Sequence, residues 1–266
     1  MRHKERVTII EQRLSKAGRQ SRILAELRAT PTLRVNELSQ RLNVSAETVR
    51  RDLAELGRLG QLNRTYGGAM RPMPFEPALA ERESLMVKER ERIAQTAVGL
   101  VEPNDILMIG GGATTLHCAR RIAVECNHLT TITHSFSIAM ALATNPSHKI
   151  LMLPGQYDGR EGVIYGPDTV DALQRFHASK AILGASGLTA EGPNDASLGP
   201  GMIYGAMMRR AAQTLIVADH TKFNRASLTV FGKWAPGTTL ISDNMPDGEL
   251  ALAMADAGAP TMIAAS

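Results

Sequence analysis

The sequence predicts a two-part α/β chain: three short helices and a hairpin, then an open, mostly parallel sheet covered by helices. Three observations predict it. Positive charge is crowded into the first quarter of the chain. After about residue 105 the helical spacing of apolar residues gives way to short apolar runs alternating with helical stretches. Five of those runs end in glycine-rich or polar turns. The 266 residues, 44% of them hydrophobic, suffice for two domains with buried cores.

The charge split is sharp. Of 30 Lys+Arg and 26 Asp+Glu, residues 1–71 hold 15 and 7, so a segment of about +8 is joined to a remainder of about −4. Thirteen of those first cations are Arg, whose planar fork suits phosphates and guanine edges. A compact basic segment on a neutral or acidic body points to a polyanion-binding head, and equally to a solvated surface. Cys118 and Cys126 make neither a disulfide framework nor a metal site, and both read as small buried side chains. No apolar run approaches the roughly 20 residues that span a bilayer. Met1-Arg2-His3-Lys4-Glu5-Arg6, followed only by Val7–Ile10, is no secretory signal. The expected location is cytoplasmic, with no membrane contact.

Residues 1–17 form an extension in which Val7, Ile10 and Leu14 could make a helical stripe. A first helix is predicted over about 19–29, with Ile23, Leu24 and Leu27 on one side, ended by Thr30-Pro31-Thr32. A second covers 35–42, carrying Val35, Leu38 and Leu42 at spacings of three and four, with Asn43 suited to a left-handed turn. A third starts at Ser45, a good N-cap, and runs to about Leu59, where Gly60 stops it. Residues 61–71 read as a short hairpin. Together, 18–71 have the pattern of a winged helix-turn-helix. Pro72, Pro74 and Pro77 mark a linker over 72–80. The remainder, 81–266, opens with one charged helix over about 81–99. Apolar runs follow at 106–109, 130–133, 150–153, 181–183, 215–218, 240–241 and 262–264. Helices are expected between many of them, at 114–125, 135–144, 202–213 and 247–257. That alternation implies a parallel sheet covered on both faces.

The third helix carries the chemistry of the first part. Val49, Leu53 and Leu56 share one face, while Glu47, Arg50, Arg51 and Ala54 share the other. A helix that enters a major groove needs this division. Ser45 and Thr48 bring hydroxyls to the helix start, where N–H groups and the dipole can meet a phosphate. Arg50 and Arg51 suit base edges or phosphates. Arg34, Arg64 and Tyr66 complete the expected DNA-binding set. Taken alone, the helix is also a surface helix stitched by an Arg51–Glu47 or Arg51–Glu55 ion pair. Arg19, Ile23 and Leu27 recur at intervals of four and precede Ser45-x-x-Thr48-Val49-Arg50-Arg51-Asp52-Leu53. This arrangement closely resembles the helix-turn-helix signature of the DeoR family of bacterial sugar-metabolism regulators. The resemblance implies a repressor that binds a double-stranded DNA operator as a homodimer or homotetramer, at the nucleoid when bound.

In the second part, Gly110-Gly111-Gly112-Ala113-Thr114-Thr115 joins a predicted strand to a helix. Glycines admit a ligand close to the backbone, and a helix start offers free N–H groups and partial positive charge, which suits a phosphate. By itself such a turn is also simply a tight turn, and it lacks the Lys of a P-loop. Thr133-His134-Ser135, Pro154-Gly155-Gln156, Gly184-Ala185-Ser186-Gly187 and Asp219-His220-Thr221-Lys222 follow other strands on the same edge, where open α/β sheets bind ligands. The expected effector site is Gly111, Gly112, Ala113, Thr114, Thr115, His134, Ser135, Gly155, Asp219 and Lys222. Lys222 would neutralise a phosphate. Asp219 would accept sugar hydroxyls or pair with Lys222. His134 and His220 are candidate ligands and equally structural histidines.

The layout is similar to the DeoR-family sensor domain, whose fold is related to ribose-5-phosphate isomerase, and the resemblance implies a small phosphorylated metabolite as effector. His134 stands where the family commonly has Asn and Gln156 where a second Gly is common, which leaves the ligand's identity open. No catalytic residue, metal or cofactor is expected. The alternatives are a sugar-phosphate isomerase-like enzyme with a fused DNA-binding head, using Asp219, Glu161 or Asp195 as base, and an architectural DNA-binding protein.

Overall fold

The computed structural model describes residues 15–30, 32–58, 62–65, 67–70 and 78–265. The extension through residue 14, Tyr66, and positions 72–77 of the expected linker lie outside them. The chain divides into two compact units, Met1–Pro74 and Phe75–Ser266.

The first unit contains helices α1 (Lys16–Ala29), α2 (Val35–Leu42) and α3 (Ala46–Arg58) with strands β1 (Thr32–Arg34), β2 (Asn63–Thr65) and β3 (Gly68–Met70). The three strands form an antiparallel sheet in the order β1-β3-β2, giving the winged arrangement. The sequence reading missed β1, a three-residue strand with too few positions to show an alternation. The apolar stripes meet as expected: Ile23 and Leu27, Leu38 and Leu42, and Val49, Leu53 and Leu56 form one buried core with Leu33, Leu62 and Ala69. Asn43 takes the left-handed conformation (φ 50°, ψ 49°) that turns the chain from α2 into α3. A buried ion pair crosses this core. Arg19 of α1 grips Asp52 of α3 through Nε and through Nη2, the latter 3.1 Å from Oδ1, and Asp52 is 2% exposed.

The second unit begins with a correction. The expected single helix over 81–99 is two, α4 (Leu79–Arg82) and α5 (Val87–Val98), separated by Met86 in the left-handed region (φ 50°). Charge alternation is compatible with helix on either side and gives no signal for this break. There follow β4 (Ile106–Ile109), α6 (Ala113–Glu125), β5 (Thr130–Thr133), α7 (Phe136–Leu142) and β6 (Lys149–Met152). A hairpin of β7 (Gln156–Asp158) and β8 (Val163–Tyr165) leads to α8 (Pro167–Leu173) and β9 (Ala178–Leu183). Next come β10 (Gly187–Thr189), β11 (Gly192–Asp195), α9 (Leu198–Arg210) and β12 (Ala211–Val217). A 3-10 turn (His220–Lys222), β13 (Thr229–Val230), β14 (Thr238–Ser242), α10 (Gly248–Asp256) and β15 (Thr261–Ile263) complete the unit.

All seven expected runs join one parallel sheet in the order β15-β14-β12-β9-β4-β5-β6. Side chains alternate between its two faces. Leu107, Ile109, Ile182, Leu215, Val217 and Ile241 pack under α5, α6 and α7. Met108, Ala181, Leu183, Ile216 and Leu240 pack against α8, α9 and α10. Cys118 is buried as expected, whereas Cys126 is only half-buried at the exit of α6. The strand order reverses between β4 and β9. This is the switch point of a doubly wound sheet, where two successive crossovers depart in opposite directions and leave a crevice at the carboxyl edge. The two small antiparallel sheets, β7–β8 and β10-β11-β13, went unread in the sequence because their strands of two to four residues carry no alternation. Among the described residues no helix is long and apolar enough to cross a membrane.

Removing one partner of a buried, hydrogen-bonded charge pair strands the other. Asp52→Ala should therefore destabilise the first unit by about 2 kcal/mol, read as an earlier urea transition by circular dichroism. A transition unchanged in midpoint would show that the pair contributes nothing.

Candidate functional site

On the first unit, α3 presents the expected polar face. Glu47, Arg50 and Arg51 are exposed, their side chains at 61%, 56% and 80% of full accessibility. Ser45 accepts the Thr48 amide (3.2 Å), and its hydroxyl meets that of Thr48 at 2.9 Å, so both hydroxyls cluster at the helix start. Glu47 pairs with both arginines, at 3.6 Å to Arg50 and 3.4 Å to Arg51. Ion pairs this exposed are worth at most about 1 kcal/mol and are screened by salt, so they restrain the arginines without withholding them from a phosphate. Arg34 is exposed at the entry of α2, where its amide donates to Glu37 Oε2 (2.8 Å). The backbone of Arg64 lies in the wing strand β2, and its side chain lies outside what is described.

On the second unit, the exits of β4 and β5 are tied into one structure. The Gly111 amide donates to His134 Nε2 (3.1 Å), and His134 Nδ1 lies 2.7 Å from the Ile164 carbonyl. An acceptor at Nε2 and a carbonyl at Nδ1 leave one consistent tautomer: neutral imidazole protonated at Nδ1. Tyr204 of α9 donates its hydroxyl to the Gly111 carbonyl (2.6 Å) and stands edge-on to the imidazole. Both polar groups of Gly111 are thus occupied by side chains, and His134 is wholly buried. These two residues shape the turn, with the Gly111 amide and both His134 ring nitrogens engaged in hydrogen bonds within the protein. Burial pushes His134 from the usual 6.5 down to about 4.

What the turn leaves open is the start of α6. Gly112 caps it at φ 136°, a conformation that L side chains rarely adopt. The first intrahelical bond runs from the Leu116 amide to the Gly112 carbonyl (3.0 Å), so the helix uses none of the amides of Ala113, Thr114 and Thr115. Thr115 donates its hydroxyl to the Gly112 carbonyl (3.0 Å). A Cβ built on Gly184, at the exit of β9, would sit 3.9 Å from Thr115 Cγ2. The helix start therefore borders the switch-point crevice. Ser135 is fully buried, caps α7 and shares a 3.0 Å contact with the Ser137 hydroxyl. Gly155 serves packing: a Cβ there would come 2.3 Å from Thr169 Oγ1 and 2.7 Å from the Tyr165 carbonyl.

Asp219 and Lys222 lie on the same edge, two strands along at the exit of β12. Asp219 is fully buried, and its Oδ1 accepts the amide (3.1 Å) and hydroxyl of Thr221, capping the turn that carries Lys222. Its Oδ2 lies 3.7 Å from Arg90 Nη2 of α5. Asp219 thus caps the turn through Oδ1, while Oδ2 faces Arg90 without a hydrogen bond. His220 is held through its amide (2.8 Å) and Nδ1 (2.5 Å) by Asp243, whose carboxyl these bonds keep below the usual range against the opposing effect of burial. Arg90, Tyr204 and Asp243 escaped the sequence reading. Only Arg90 left a signal, since it shares one helical face with Ile93, Ala94 and Ala97.

Residues 19–74 match the DeoR-like helix-turn-helix domain and residues 86–244 the DeoR C-terminal sensor domain. This chain belongs to the DeoR family. Proteins similar to it include the HTH-type transcriptional repressor GlcR of Bacillus subtilis, 28% identical over 85% of this chain and 87% of that protein. The HTH-type transcriptional repressor CsqR of Escherichia coli is 29% identical over 82% and 84%. The lactose phosphotransferase system repressor of Streptococcus mutans is 30% identical over 94% and 96%. Among solved structures, a D-ribose-5-phosphate isomerase in complex with phospho-erythronic acid matches at 15% identity and a TM-score of 0.39, over 51% of this chain and 53% of that one. That likeness is too slight to carry an argument. As a DeoR-family member the chain is a DNA-binding regulator with a sensor domain, not an enzyme. The three loop acids considered as bases have structural partners: Glu161 pairs with Arg82, Asp195 accepts the Ser197 amide (2.8 Å), and Asp219 faces Arg90.

The titration of His134 sets a pH dependence. The unfolded residue titrates near 6.5 and the folded one near 4, so between those values the unfolded chain binds more protons and folding weakens as pH falls. The contribution is complete above about pH 7, is lost progressively from 6.5 toward 4, and totals on the order of 3 kcal/mol. His117 and His148, also lowered by burial, act in the same direction. The measurement is therefore the difference in denaturant stability between wild type and His134→Asn from pH 7 to pH 4, in which the wild type should lose more. Parallel curves would refute the assignment.

Proposed function

We propose that this chain is a repressor of a carbohydrate-metabolism operon, released from or driven onto its operator by a phosphorylated sugar or related metabolite. One observation carries the sensing half: the α6 start, with its unused amides of Ala113, Thr114 and Thr115, borders the switch point of a parallel sheet. Backbone amides and helix dipole there favour an anion, and Lys222, on the same edge, supplies a point charge. The names of the relatives support the operon class, since several are repressors of sugar systems. The reading assigns Arg50 and Arg51 to base edges or phosphates, and Ser45, Thr48, Arg34, Arg64 and Tyr66 to the DNA backbone. Two heads on a homodimer or homotetramer would face half-sites at fixed spacing. A DNA-bound protein of this kind sits at the nucleoid, in the cytoplasm.

The test is fluorescence anisotropy against DNA from upstream of the chain's own gene, with and without pentose and hexose monophosphates. Arg51→Ala should weaken specific binding by about 1–3 kcal/mol, leaving the sensor domain's response to ligand unchanged. Lys222→Ala should leave ligand-free DNA binding intact and raise the sugar phosphate needed for half-response at least tenfold. No sequence-specific binding at physiological salt would sink the reading.

A further inference from the structure

The stretch 82–90 lies near the start of the second unit, and its sequence reads as part of one charged helix. Its side chains do something else. Arg82 of α4 pairs with Glu161 in the turn between β7 and β8, the two side chains only 13% and 22% exposed. Glu83 accepts from Arg120 Nη2 of α6 at 2.9 Å. Arg90 is 4% exposed, donates from Nη1 to the carbonyl of Arg82, and reaches Asp219 through Nη2. Helix α5 runs toward β4 and packs beside α6, so its first turn lies at the carboxyl edge of the sheet. Nine residues thus fasten to the β7–β8 turn, to α6 and to the exit of β12.

Each anchor is one step from the sensor site. Asp219 caps the turn carrying Lys222. The β7–β8 turn lies over the exit of β5, where the Phe136 amide donates to the Gly162 carbonyl (3.0 Å) and Ser135 bridges to Val163. Helix α6 offers its amides to the anion. We infer that Arg90 and Arg82 are positioning residues of the sensor. Arg90 holds the Asp219–Lys222 turn, and Arg82 holds the β7–β8 turn, against the helices through which the chain arrives from the DNA-binding unit. A ligand bridging Lys222 and the α6 start therefore sets the position of α4 and α5 through ion pairs with partly or wholly buried side chains, which salt screens little. A ligand shifts DNA affinity only through a two-state element that it biases, and this segment is that element. The inference rests on the proposed phosphate site.

Two measurements test it on the full chain. The first needs no ligand: amide hydrogen exchange of Arg90→Ala, with Arg90→Lys as the conservative variant. Faster exchange should appear both at 221–223 and within 79–90, and Arg90→Lys should reverse most of it. A change confined to α5 would overturn the positioning role. The second compares isothermal titration with inorganic phosphate and sugar monophosphates against the ratio of operator affinities with and without the same ligand. Arg82→Gln should keep ligand affinity within about threefold and bring the operator ratio close to one, while the exposed control Arg175→Gln keeps both. A wild-type ratio in Arg82→Gln would overturn the coupling. Failure of wild type to bind any phosphate would instead sink the proposed sensor site, and the exchange experiment would still decide the positioning role.

Discussion

The neutral imidazole of His134 joins three segments of the sensor domain, and the shape of the ligand edge depends on it. It receives the amide of Gly111 at the exit of β4, donates to the carbonyl of Ile164 in β8, and is itself the first residue beyond β5. A charged imidazole cannot accept a proton at Nε2, so the junction exists only while burial keeps the ring neutral. Tyr204 closes the other side of Gly111. With both its backbone groups engaged, the turn is held in place, and Gly112 starts α6 with three amides that the helix itself does not use. Preorganisation of this kind lowers the ordering cost of binding a small anion.

The DNA-reading unit is organised around a different constraint. Among the described residues its core is eleven buried side chains contributed by three helices, the wing strands and their flanks. The Arg19–Asp52 pair spans it and fixes α3 against α1. Asp52 lies beside Arg51 in sequence, but it is buried while Arg51 is exposed. The residue that anchors the recognition helix and those that face DNA are therefore interleaved along one stretch, which forces Val49-Arg50-Arg51-Asp52-Leu53 to alternate between core and surface at helical spacing.

In the sensor domain, the proposed anion site and the proposed relay are separated by strand order. The amides left unused by α6 stand at the exit of β4, Lys222 at the exit of β12, and β9 lies between them. The exit of β12 is bound to α5 by the Arg90–Asp219 pair, and the exit of β5 is bound to α4 by way of Glu161. Desolvated pairs of this sort are costly to leave half-made.

Sequence alone determined the elements whose signal is local: the three helices and wing of the head, all seven strands of the parallel sheet, the polar face of α3 and the glycine-rich start of α6. Periodicity and capping suffice for these because each residue's environment repeats every two or 3.6 positions. Only the tertiary structure decided the partners. His134 and Gly111, candidate ligands by sequence, are bonded to one another across two strands. Asp219 caps the turn that carries Lys222 and faces Arg90, 129 residues earlier in the chain. The supposed single helix at 81–99 breaks at Met86, and one member of its charge run, Arg90, is buried against Asp219. Long-range pairing of polar groups leaves no periodic trace, because what satisfies a buried charge is set by which strands lie side by side, and the order β9-β4-β5 is a property of the folded sheet.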